Sequence, residues 1–249
     1  MIRTQYINSI KSRPKKIDDF LIINVLNWHN NKWQELSPYC MKTDGNEKND
    51  NPGGIIFENF FQGCKVFPQV YPIKVYSHPS RIGDDKYLWW DFQTKDQYFD
   101  KHLDGNDIIE ENYNYWRDSL WNCPRPIRYP NGRDRRSKVK FAVVNTTDGK
   151  QYRYDYLTMR KKVYYQEYVR LAKKTTEYQE LLDMLKNGKN IMICEIDVPK
   201  QGKKGLFGQD CDNNNTCLMS LDKLDKLMTD ESEPFGHGLC LAHALLSDI

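Results

Sequence analysis

No stretch of about 20 apolar residues occurs in the chain, the length a membrane-spanning helix needs. Charge of one sign is scarce too. Against 34 Asp and Glu stand 37 Lys and Arg, a net of +3, so the protein is no polycation, and nucleic-acid binding would have to come from a local patch. Cysteine is sparse and scattered, seven residues with no tight framework, which argues against a disulfide scaffold and for mostly free thiols in a reducing setting. The opening Met-Ile-Arg-Thr-Gln reaches Lys15-Lys16 with no apolar run, so a cytoplasmic, intracellular protein with no membrane contact is expected. Gly205-Leu-Phe-Gly208 lacks the GxxxxGK[ST] pattern, so no phosphate-cradling loop of that type is expected. No internal repeat is seen.

What is present is length and aromaticity. A chain of 249 residues suits one large domain or a domain carrying an insertion. With 16 Tyr and 6 Trp, the core is expected to be aromatic-rich.

Turn residues dominate 42–54, which reads as a polar loop. A helix is expected over 55–67, ended by Pro68 and Pro72. Residues 111–121 place Tyr113, Trp116 and Leu120 on one helical face. Lys138 to Asn145 and Gln151 to Tyr154 read as a hairpin around Asp148-Gly149. The longest helix is expected over 155–173, and Thr176-x-x-Gln179 reads as a capping box for the next, closed by Gly188. Asn190 to Val198 reads as a buried strand, and Ser220 as the cap of a helix through Met228. Gly236-His-Gly238 is expected to precede a short apolar C-terminal helix.

Four constellations carry possible chemistry. Glu58, Gln62 and Lys65 recur at i, i+4 and i+7, so on a helix they share one stripe amid Phe57, Phe60, Phe61 and Cys64. Buried charge is costly unless paired or used. The stripe is either an acid/base wall or a structural salt link that Gln62 would have to bridge. Glu195 and Asp197 alternate near a strand end, facing one side, as catalytic acids or as caps for the loop beyond. The arm Cys123 to Arg136 interleaves Arg125, Arg128, Arg133, Arg135 and Arg136 with Tyr129 and prolines. Guanidinium forks suit phosphate and a tyrosine suits a base, the alternative being a solvated loop. Arg160-Lys161-Lys162 would add phosphate donors from the long helix. Last, His237, Cys240 and His243, with Cys211 and Cys217 upstream, diverge too far on a helix for a convergent zinc site. Neither a metal nor another cofactor is expected.

Taken in order, these blocks resemble the NADAR (YbiA-like) superfamily. Glu58-x3-Gln62-x2-Lys65 resembles the acidic–Gln–Lys signature of that family's first core helix. Leu36-Ser37-Pro38-Tyr39 resembles its Leu-Ser-Asn-Phe-Tyr segment. The two later helices and the strand ending in Glu195 and Asp197 resemble its C-terminal half. Arg128 to Gly132 and Arg160 to Tyr164 are similar to segments of phage- and large-virus-type relatives. The Trp-Gly-x-Gly ending is absent, Leu206-Phe207-Gly208 being at best a loose substitute, and about 74–150 is extra.

The resemblance implies an α+β, mainly helical single domain over 1–249 with a small sheet and an insertion at about 74–150. It implies a hydrolase of N-glycosidic bonds, acting on an ADP-ribosyl or ribosyl-phosphate conjugate such as ADP-ribosylated guanine in nucleic acid. Glu58, Gln62, Lys65 and Asp197 would be catalytic. Trp33, Ser37, Arg128, Tyr129, Arg160 and Glu195 would bind substrate, and the basic arm 123–140 would contact nucleic acid. Two rival expectations stand beside it: a non-catalytic binder of ADP-ribose or nucleic acid, and a viral or phage interaction protein whose Glu58–Lys65 stripe is a buried salt link.

Overall fold

The computed structural model describes residues 1–8, 13–26, 32–46, 51–71, 73–77, 86–90, 100–132, 136–145, 150–202 and 207–249. Helices and small sheets are mixed throughout. The chain divides into two compact units, Met1–Met41 with Tyr156–Ile249, and Lys42–Asp155. The second unit is thus wider than the insertion expected at about 74–150. The expected Asn27–Asn31 loop, the Asp148-Gly149 turn, Arg133, Arg135, and Gly205-Leu206 lie outside the described residues. Among the described residues, no helix is long and apolar enough to cross a membrane.

The first unit is built on a four-stranded sheet in the order Thr216–Leu218, Ile2–Tyr6, Asn190–Glu195, Phe20–Asn24. Asn190–Glu195 lies parallel to both neighbours, with Ile2 opposite Ile191 and Leu21 on the other side. A strand buried on both faces reads as a continuous apolar run rather than an alternation, and Ile191 to Glu195 are all buried. The N-terminal strand Ile2–Tyr6 sits in a stretch whose polar, basic composition hid it.

Helix Thr176–Lys186 feeds the central strand. Its cap is Thr175, which accepts the Tyr178 N–H, one residue before the expected box, and Gly188 closes it at φ +78°. Ser220 caps Leu221–Thr229 as expected, accepting the Lys223 N–H. The expected long helix is continuous from Tyr156 to Ala172, but Arg160–Tyr165 is wound as a π-helix. The C-terminal helix is His237–Ser247, so His237 and Gly238 form its first turn instead of preceding it. Cys211 and Cys217 form a disulfide, and the other five cysteines stand outside any disulfide, so the cysteines are mostly thiols as expected.

In the second unit, the expected loop at 42–54 is a hairpin, Lys42–Asn46 against Asn51–Ile56. It runs straight into helix Phe57–Gly63. The helix expected over 55–67 therefore both starts later and stops earlier. Its last residue has no room for a side chain: a Cβ on Gly63 would stand 2.4 Å from Trp121 Nε1. Lys65–Val66 then joins a three-stranded sheet with Phe141–Asn145 and Gln151–Tyr154. Glu110–Trp121 is helical, as its spacing predicts. It packs Tyr113, Trp116 and Leu120 into an aromatic-rich core with Val66, Phe67, Val70 and Val143.

Candidate functional site

Glu58 and Gln62 are buried on the helix Phe57–Gly63, and Lys65 follows it as the first residue of a strand. The change of element does not separate them. Lys65 Nζ donates to Gln62 Oε1 at 2.9 Å, and Gln62 Nε2 donates to Glu58 Oε1 at 2.8 Å. The polarity is dictated by chemistry: an ammonium can only donate and a carboxylate only accept, so the amide must turn its oxygen to Lys65 and its nitrogen to Glu58. The Lys65 ammonium also lies 4.3 Å from the centre of the Phe61 ring. The bridge that the i, i+7 spacing required is thus made by Gln62.

Asn59, between them in sequence, was missed because a lone Asn carries no motif. It is fully buried, and its amide reads the backbone of the basic arm. Nδ2 donates to the carbonyls of Cys123 (3.1 Å) and Arg125 (2.7 Å), and Oδ1 accepts the Ile127 N–H (2.7 Å). Asn131, also buried, fastens the far end: Nδ2 donates to Gln69 O and Oδ1 accepts the Tyr71 N–H. The segment from Cys123 to Asn131 is therefore a built element rather than a solvated loop. Arg125, Arg128 and Tyr129 are half-buried on it, with the Arg128 guanidinium 5.1 Å from the Tyr129 ring centre.

The remaining sequence-predicted residues belong to the first unit. Glu195, 1% exposed, has both oxygens engaged. Oε1 accepts the N–H groups of Ile196 (2.7 Å) and Asp197 (3.3 Å). Oε2 accepts the Gly238 N–H (2.9 Å) and lies 2.9 Å from His237 Nδ1. Burial pushes the carboxyl up, but the His237 charge and these donors outweigh it and hold Glu195 well below its usual range. The two glycines of the Gly236-His-Gly238 segment exist for this contact, since a Cβ on Gly236 would meet the Glu195 carboxyl at 2.8 Å. Glu195 is a staple between the central strand and the C-terminal helix, which corrects its assignment to substrate binding. Asp197 is half-buried in the bend beyond, its carbonyl accepting the Gly236 N–H.

Arg160 is corrected on the same ground. It is 2% exposed. One terminal nitrogen donates to the carbonyls of Leu227, Met228 and Asp230, the other to Glu233 O and the Tyr156 hydroxyl. A guanidinium spent on carbonyls is not a phosphate ligand. Ser37 is fully buried and caps its own turn by accepting the Tyr39 N–H. Trp33 is buried beneath the Lys32 ammonium. Tyr168 OH donates to Leu36 O at 2.7 Å and fixes that turn to the long helix.

His237, Cys240 and His243 have separate environments. Cys240 is fully buried, and His243 lies between Tyr165 OH (2.7 Å) and Asp225 (3.0 Å). No group of three metal-ligating side chains occurs among the described residues. Comparison with protein-family models, curated proteins and solved structures returns no match.

Proposed function

We propose that the second unit carries the acid/base machinery of a hydrolase acting on N-glycosidic bonds, with an ADP-ribosyl or ribosyl-phosphate conjugate as substrate. The observation that supports this most is the bonded relay Lys65–Gln62–Glu58, set in an apolar helix wall. Cleavage of such a bond passes through an oxocarbenium-like state, which a carboxylate stabilises directly or by activating water. Glu58 has that role. Lys65, acting through Gln62, fixes the orientation of the carboxylate so that it is not lost to rotation. A pre-set geometry of this kind lowers the barrier by removing reorganisation. Arg128 and Tyr129, on the arm that Asn59 fastens to the same helix, supply a guanidinium for phosphate and a ring for a base. ADP-ribosylated guanine in DNA and the ribosylamino-pyrimidine phosphate are the two substrates to assay. Release of base or sugar is expected from the native protein and is expected to fall by at least about 100-fold in Glu58→Gln, the range of a lost acid/base group. Release unchanged by that substitution overturns the reading.

The arm, tied at both ends, favours a second reading, a binder without turnover. Calorimetry with ADP-ribose beside the turnover assay separates the two, because binding with no hydrolysis selects the second.

A further inference from the structure

The strand Gln151–Tyr154 closes one edge of the three-stranded sheet. Its register places Tyr154 opposite Ala142 and Tyr152 opposite Val144, and Ala142 is opposite Lys65 on the next strand. Residues directly opposed across strands share a face. Tyr152, Tyr154 and Lys65 are therefore on one face, with the smallest side chain of the row, Ala142, between Tyr154 and Lys65. Two strand spacings put Tyr154 and Lys65 about 10 Å apart at the backbone. The opposite face carries Val66, Phe141 and Val143 and belongs to the aromatic-rich core, so the tyrosines are on the side turned from it.

The two rings are near-parallel, 17° apart with centres at 6.1 Å, and Tyr152 is 41% exposed. Two tyrosines at i and i+2 on the core side would be packing residues. Here they are on the face that holds the relay lysine, and one keeps a large part of its surface in water. An exposed aromatic surface matches the face of a base.

We propose that Tyr152 and Tyr154 form a stacking platform for a base of a nucleotide-type ligand, a second aromatic surface besides Tyr129, with Tyr152 offering the outer ring. The proposal rests on the hydrolase reading for its choice of ligand, but its test is a binding measurement. Guanosine 5′-monophosphate and ribose 5-phosphate, which share the phosphate but not the base, are titrated into the full chain and followed by calorimetry and by ring-current shifts of the ligand protons. The native protein is expected to bind the nucleotide. Tyr152→Val, which suits an edge strand, is expected to weaken it by roughly 10- to 100-fold, the size of one base–aromatic stack. Tyr152→Phe keeps the affinity, and Tyr152→Val leaves ribose 5-phosphate unchanged. Equal affinity of Tyr152→Val and native protein for the nucleotide overturns the platform, as do an equal loss for both ligands and the absence of nucleotide binding. Hydrolysis of the conjugate with Tyr152-independent binding overturns the platform alone. Tyr152-dependent binding with no hydrolysis overturns the enzymatic reading alone.

Discussion

His102 is fully buried, wedged edge-on between Trp116 (centres 5.1 Å apart) and Tyr113 (5.7 Å). Neither ring nitrogen has a hydrogen-bond partner among the described residues. Burial lowers its pKa from 6.5 to about 4. In the unfolded chain the same imidazole takes up a proton near its ordinary value. Between those two values the unfolded state binds more protons than the folded one, so stability rises with pH across that window. As pH falls, the loss starts near 6.5 and is complete once both states are protonated, below about 4. A shift of this size corresponds to about 3 kcal/mol, a large share of the stability of a small domain.

The perturbation is His102→Leu, which keeps an apolar volume and cannot titrate. At pH 7 the variant is expected to be as stable as the native protein or more so, because a buried polar group without a partner has been removed. Denaturant unfolding followed by tryptophan fluorescence at a series of pH values between 7 and 4 gives the comparison. The native protein should lose about 3 kcal/mol over that range and the variant much less. Parallel losses in the two proteins refute the reasoning, as does an NMR titration that places the His102 pKa near 6.5. The buried Glu195 carboxyl does not confuse the window. Glu195 is held below its usual range, so its contribution is present above about 4.5 and is lost only as pH falls further.

Three further outcomes follow from the geometry. Asn59→Leu removes three hydrogen bonds that hold Cys123, Arg125 and Ile127. It is expected to cost about 3 kcal/mol and to speed proteolysis between Cys123 and Asn131, where unchanged cleavage would show that the arm is held otherwise. Gly236→Ala forces a Cβ to 2.8 Å from the Glu195 carboxyl. The helix His237–Ser247 must shift, at about 1–3 kcal/mol by overpacking, and a thermal midpoint equal to the native one contradicts the close approach. Arg160→Lys keeps the charge but not the fork that reaches Leu227, Asp230 and Glu233. It is expected to cost about 3 kcal/mol or more, read by denaturation, while an undiminished midpoint shows that those carbonyls are served without it.

Local elements with short-range signals were legible in the sequence: the helix Glu110–Trp121 from its aromatic spacing, Ser220 from its capping chemistry, and Gly188 from the left-handed turn it completes. What escaped was decided by partners far along the chain. Lys65 has a helical neighbourhood in sequence, yet Phe141 and Ala142 draw it into a sheet, and Trp121 leaves no room for a side chain at Gly63. A strand-end position pointed to Glu195 and a basic run to Arg160 for the chemistry, but neither signal could say whether that charge faces a ligand or its own backbone. For these two the backbone wins, since every carboxylate oxygen and terminal guanidinium nitrogen is already satisfied inside the fold. Glu58 differs in kind. It accepts from another side chain, Gln62, which in turn answers to Lys65, so this bond sets an orientation of the carboxylate. Gln62→Leu separates these roles. It removes the bridge without removing either charge, and a merely structural link would then show its loss in stability alone. A relay that orients Glu58 would also lose turnover in protein that remains folded, with substrate affinity retained.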